Sequence, residues 1–141
     1  MKRALVGWDG DDPVLSVEEP RATEISGFGM TTAEIWKTDS TPPDLHAAAA
    51  ADAVPWRLEP PRAGTVFRIV TFAPGATTGT HATQTLDYLV VIDGSISLLV
   101  GDDDVRLESG DVVVLNGARH DWVNRFDVPC VMAAILVSAE P

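Results

Sequence analysis

From residue 64 onward, apolar positions recur every second residue, the spacing that turns alternate side chains to one face of a β-strand. Residues 65–72 (TVFRIVTF) are rich in branched and aromatic side chains and stop at Ala73-Pro74-Gly75. Residues 86–92 (LDYLVVI) form the next run and end at Asp93-Gly94. In 95–100 (SISLLV), Ile96, Leu98 and Val100 share one face and the serines lie opposite. Residues 101–104 (GDDD) read as a hairpin turn, 105–107 alternate again, and Ser109-Gly110-Asp111 turns the chain. Residues 112–115 (VVVL) are continuously apolar, which predicts a strand buried on both faces. Asn116-Gly117, a strand at 120–124, a turn near Asp127 and Pro129, and a last strand at 130–137 complete the pattern. Short strands with closely spaced turn signals predict an antiparallel sandwich or barrel.

Upstream the period breaks. About half of the acids and six of the ten prolines fall in the first 60 residues. Short strands are predicted at 24–28 and 31–37, joined by Gly29 and Met30. Residues 38–43 (TDSTPP) must be a turn or loop, because consecutive prolines fix φ and remove donors. Residues 44–52 (DLHAAAAAD) favour a short helix that needs packing to persist. The division is therefore an arm over 1–62 and a β-barrel over 63–141. Apolar arm residues such as Ile35 and Trp36 need a surface to cover, on the barrel or on a second subunit.

Length and charge narrow the functions. With 141 residues there is room for one core. The formal net charge of -11 disfavours phosphate backbones and anionic lipid, so no nucleic-acid or membrane partner is expected. No apolar run approaches the roughly 20 residues that span a bilayer, and the first residues make a poor signal peptide. A single cysteine, Cys130, cannot form an internal disulfide, which fits the cytoplasm. The acidic runs at 9–12 and 102–104 read as a solvated tail and a turn.

The chemistry concentrates on two of three histidines. Thr83, Thr85 and Asp87 share the parity of His81; Trp122 and Asn124 share that of His120. If both faces line one cavity, two imidazoles, a carboxylate and several hydroxyls meet there. Such a set suits a divalent metal, or proton transfer without one. His46, in the arm, reads as a surface residue. Gly75, Gly94, Gly110 and Gly117 read as turn residues of positive φ, and Cys130 as a small buried apolar one.

The stretch 75–124 resembles the two-motif signature of the cupin superfamily. Gly75, five residues, His81-Ala82-Thr83, three residues, Asp87, six residues and Gly94 follow the first motif; Gly110, Gly117, His120 and Asn124 follow the second. The stretches HATQTLDY, GDVVVL and HDWVN further resemble a subgroup of small cupins (RmlC-like) that often accompany oxidoreductase or polyketide pathways of secondary metabolism. The resemblance implies an all-β cupin double-stranded β-helix, or jelly-roll barrel, with an N-terminal arm. It also implies one pocket shared by the two motif strands, and His81, Asp87 and His120 as ligands of iron, manganese, nickel or zinc. The sequence departs from the signature where Thr83 stands in place of a second histidine, Asp87 in place of the longer glutamate, and Leu115 or Asn116 in place of proline. A hydroxyl is a poor ligand for such metals, so weak metal affinity or none is expected.

These readings give an enzyme acting on a carbonyl or aromatic intermediate: an oxidoreductase, isomerase, cyclase or lyase. His81, His120 and Asp87 are the catalytic candidates, and Thr83, Thr85 and Trp122 the substrate-binding ones. The alternative is a non-catalytic sensor or carrier of a small molecule. Because cupins usually pair through β-strands, a homodimer is expected, with the arm supplying the contact.

Overall fold

Alternation of apolar and polar residues produces strands throughout the computed structural model, which describes residues 1–47 and 56–141. There are eleven among the described residues: β1 (Arg3–Asp9), β2 (Asp12–Glu18), β3 (Ala22–Ile25), β4 (Met30–Thr38), β5 (Thr65–Phe72), β6 (Thr85–Asp93), β7 (Ser95–Val100), β8 (Asp103–Glu108), β9 (Val112–Asn116), β10 (Asp121–Val123) and β11 (Cys130–Ser138). A six-stranded sheet runs β3-β4-β5-β11-β6-β9, a three-stranded sheet runs β10-β7-β8, and β1 pairs with β2 alone. Every pairing is antiparallel. This is the antiparallel all-β architecture expected from the pattern, in the jelly-roll form that the resemblance implies.

The two larger sheets enclose the core. Val70, Phe72, Val91, Leu115 and Met132 come from one side; Ile96, Leu98, Leu107 and Trp122 come from the other. Burying one such side chain stabilises the fold by about 1.5–3 kcal/mol. β11 lies at the centre of the six-stranded sheet and pairs with β5 on one edge and β6 on the other. Cys130 is fully buried, and burial, with Asp93 nearby, pushes its thiol up to about 11.

The turns show why certain glycines stand where they do. Gly94, between β6 and β7, has φ +76°, and a Cβ there would fall 2.3 Å from the Pro129 carbonyl oxygen. Gly117 has φ +68°, and its Cβ would press to 2.9 Å from the Thr83 carbonyl oxygen. Only a residue without a side chain suits both demands. Gly75 and Gly110 also have positive φ.

Several expectations change in detail. Within the arm, β3 and β4 extend the barrel's own sheet beside β5. Residues 3–18 form a hairpin, so Asp9 to Asp12 is a hairpin tip rather than a tail. Asp103 and Asp104 are paired in β8, and Asp104 takes an ion pair from Arg125. Most of the candidate helix at 44–52 lies outside the described residues; Leu45 and His46 form a turn. The strand at 112–115 is not buried on both faces. β9 is an edge strand, and Val112 and Val114 are 73% and 57% exposed on its outer side.

Candidate functional site

His81 lies four residues before β6 and His120 immediately before β10. They meet in an isolated two-residue antiparallel bridge. Each backbone N–H donates to the other's carbonyl at 2.9 Å. A directly opposed pair of this kind sends both side chains to the same side of the ladder. The imidazole centroids are 4.5 Å apart, with 56° between the ring planes.

Both rings are oriented in the same way. Nδ1 of His81 is 2.8 Å from the Gly79 carbonyl oxygen, and Nδ1 of His120 is 2.8 Å from that of Ala118. A carbonyl can only accept, so each Nδ1 carries the hydrogen and each neutral ring keeps a bare Nε2 lone pair. Trp122 is buried and sits edge-on to His120, with centroids 6.0 Å apart. It belongs to the hydrophobic core, so it braces the imidazole from behind.

The face predicted from His81 survives a break in its strand. Residues 82–84 leave the ladder, yet Thr83, Thr85 and Asp87 are all buried. The Thr83 and Thr85 hydroxyls bond to each other at 2.7 Å. Asp87 Oδ1 is enclosed without a hydrogen-bond partner. Burial raises the Asp87 carboxyl above its ordinary value; the Thr85 hydroxyl, His120, Arg68 and His81 pull it back. Burial lowers His120 below the ordinary histidine value; the bond to Ala118 opposes this shift and the charge of His81 adds to it.

Two charged groups that the sequence reading passed over also lie inside. Arg68 on β5 and Glu34 on β4 are directly paired across the sheet and are 3% and 9% exposed. Arg68 Nε stands 3.1 Å from Glu34 Oε1, and Arg68 Nη2 donates to Glu34 Oε2 at 3.4 Å. The guanidinium also donates to the carbonyls of Leu58 and Arg57 at 3.1 and 2.9 Å, and lies 5.3 Å from the Trp56 ring centroid. Gln84 N donates to Glu59 at 3.0 Å. Residues 56–61 are thereby strapped to the barrel. The signal was present: Arg68 shares the parity of Val66, Val70 and Phe72, all buried, so it occupies an inward position. A cavity of about 1100 Å³ between the hairpin, β4 and the strap reaches the interior at Val66 and Arg68; neither imidazole lines it.

The donor set tests the metal expectation. Two Nε2 atoms are free to ligate, but among the described residues no three His, Cys, Asp or Glu side chains gather around one point. His81, Asp87 and His120 therefore form no three-ligand set, and no step is assigned to a metal. Asn124 is structural: fully buried, its amide donates to the Phe72 and Val128 carbonyls and its Oδ1 accepts from Phe126 N. His46 is exposed, near Trp8.

The shifted pKa values give a pH prediction. His120 is held below its unfolded value, so the unfolded chain takes up its proton first as pH falls. The stability this confers is present above about pH 6.5 and is lost as pH falls from there through the native value. Asp87, held above its unfolded value, acts in the opposite sense as pH rises through the carboxylate range. Urea unfolding at pH 7.5 and 5.5 is expected to show a smaller acid loss for His120→Gln than for the native chain. Equal losses would remove His120 as the source.

Comparison with known proteins places these features. Residues 68–137 match the family model described as Cupin_2, a cupin domain. The phomopsin biosynthesis cluster protein C' of Diaporthe leptostromiformis is 44% identical over 63 residues, covering 44% of this chain and 33% of that protein. The cupin-domain-containing oxidoreductase srdD of Neurospora crassa is 30% identical over 94 residues, covering 64% and 47%. The chain thus spans between a third and a half of the length of these curated relatives. Among solved structures, the polyketide cyclase RemF from Streptomyces resistomycificus superposes with a TM-score of 0.60 over 87% of this chain and 77% of its own, at 17% identity, a likeness of fold. No helix among the described residues is long and apolar enough to cross a membrane.

Proposed function

We propose, from the premise that this chain is a small cupin, that it is an enzyme moving a proton on a small carbonyl or phenolic compound at the His81–His120 pair. One observation carries the reading: two imidazoles 4.5 Å apart, each with Nδ1–H committed to a carbonyl and Nε2 unoccupied. In such a pair the neutral Nε2 of one ring removes a proton from carbon next to a carbonyl, and the imidazolium of the other protonates the oxygen or a neighbouring carbon. The proton count balances, no oxidant is consumed, and an isomerisation, cyclisation or dehydration results. The depressed basicity of His120 keeps it neutral and ready to accept. His81 is the less buried of the two rings and the more accessible to solvent. Asp87 holds charge near both rings and steadies whichever becomes cationic.

Relatives named for secondary-metabolite clusters and for oxidoreductase activity support an enzyme acting on such intermediates. The test is deuterium incorporation, followed by NMR, into a panel of small enolisable ketones, aldehydes and phenolic ketones. The protein is first treated with EDTA. Incorporation that exceeds that of a His81→Ala/His120→Ala variant supports the proposal. Incorporation that depends on added iron, manganese, nickel or zinc would transfer the role to a metal. Binding of panel members with no exchange under any condition would make the chain a sensor or carrier instead.

A further inference from the structure

The cavity of about 1100 Å³ on the arm side of the barrel is as large as small-molecule sites become, their usual range being about 300–1,000 Å³. Period-two order in β1 turns Arg3, Leu5 and Gly7 to one face of the hairpin. Arg3 donates to the carbonyls of Glu34 and Ile35 at 3.4 and 3.2 Å, which lays that face over the end of β4. Leu5 and Val14 of the hairpin, Trp36 of β4, Leu58 of the strap and Val66 of β5 then supply an apolar wall. Gly7 lines the same space, and a Cβ added there would meet nothing within 4 Å.

Two buried cations line this space and differ in what they have left to donate. Arg68 spends its N–H groups on Glu34 and on the carbonyls of Arg57 and Leu58, so it walls the cavity off from the barrel interior rather than binding a ligand. Lys37 has a side chain only 16% exposed, and its ammonium reaches Glu34 Oε2 at 3.8 Å, beyond hydrogen-bond distance. Among the described residues that ammonium makes no hydrogen bond, so its three donors are unspent. Glu34 is already held by Arg68; two cations therefore share one carboxylate, and one positive charge is left over. Asp87 does not take it. Lys37, Val66, Leu136 and Asp87 stand in one row across the sheet, which puts Asp87 three strand spacings away, roughly 14 Å. A cation inside an apolar enclosure calls for an anion. At the exposed rim, Asp39, Asp44 and Glu59 outnumber Arg57 and oppose a second negative charge on whatever enters. We infer that the cavity is a second binding site, separate from the His81–His120 pair, for a largely apolar organic monoanion, a ring-bearing carboxylate whose charge rests on Lys37.

Calorimetric titration of the full-length chain with 2-naphthoate, and with 2-naphthalenemethanol as its uncharged counterpart, tests this. The acid is expected to bind about 10-fold or more tightly than the alcohol, the margin of a hydrogen bond to a charged group. Lys37→Met is expected to weaken the acid by about the same factor and to leave the alcohol unchanged, because only the charged contact is lost. Gly7→Phe, which fills the cavity and keeps its charge, is expected to weaken both ligands by about 10-fold, and it decides the matter should Lys37→Met unfold. The His81→Ala/His120→Ala variant is expected to bind the acid as the native chain does, because neither ring lines the cavity. No binding of 2-naphthoate at millimolar concentration, equal affinity for acid and alcohol, indifference to both substitutions, or loss of binding in the histidine variant would each overturn the inference.

Discussion

Replacing His120 with alanine is expected to lower turnover on the compound that reports exchange by about 10²–10⁴-fold, the range associated with losing a general acid or base. The fold should persist, because the contacts that hold His81 and His120 opposite one another are backbone hydrogen bonds that the substitution leaves in place. His81→Ala is expected to act comparably, and the double variant to be little worse than either single one, because the two rings act as a unit. A spectator histidine could cost some activity through packing against Trp122. It would not flatten the acidic limb of the pH–rate profile, and it would not permit partial rescue by free imidazole. Turnover within twofold of the native value would remove His120 from the mechanism.

The second large effect concerns stability. Arg68→Met is expected to destabilise the fold by about 3–5 kcal/mol, the cost of removing one member of a buried ion pair. Glu34 would be left inside without its cross-strand guanidinium, the Lys37 ammonium standing 3.8 Å away. The carbonyls of Arg57 and Leu58 would lose their donor, and the strap its anchor. Glu34→Leu combined with Arg68→Met is expected to regain most of the loss, because two apolar side chains leave no stranded charge. Urea denaturation of both variants measures the difference. A double variant as unstable as Arg68→Met would show that the strap, rather than the ion pair, carries the energy.

The barrel was legible because period-two alternation tracks burial. In β5 the inward positions 66, 68, 70 and 72 are all buried, and the outward ones are not. The face carrying His81, Thr83, Thr85 and Asp87 was legible for the same reason, although residues 82–84 leave the ladder. What parity cannot supply is the partner of a strand. The junction of His81 with His120 depends on a bridge between residues 39 positions apart, and only the recurrent motif spacing hinted at it. The hairpin at 3–18 was missed, although Asp9-Gly10-Asp11 between two alternating runs is a turn signal. An apolar run such as 112–115 reads alike whether a neighbouring element of the same chain or nothing in that chain covers its outer face; its exposure emerged only from its edge position. Arg68 and Glu34 were legible by parity, but a lone charge within a strand draws attention only when its cross-strand partner is known.

The placement of β11 bears on how the molecule comes into being. During synthesis β5 and β6 emerge well before the strand that joins them, and each presents unpaired N–H and C=O groups along one side until then. The nascent polypeptide cannot close its main sheet progressively; it must wait for residues 130–138 and then zip along two borders at once. Closure therefore belongs to the slow, long-range class of folding events, and the interval before it is when the chain is most open to capture by a chaperone or by another unfinished copy.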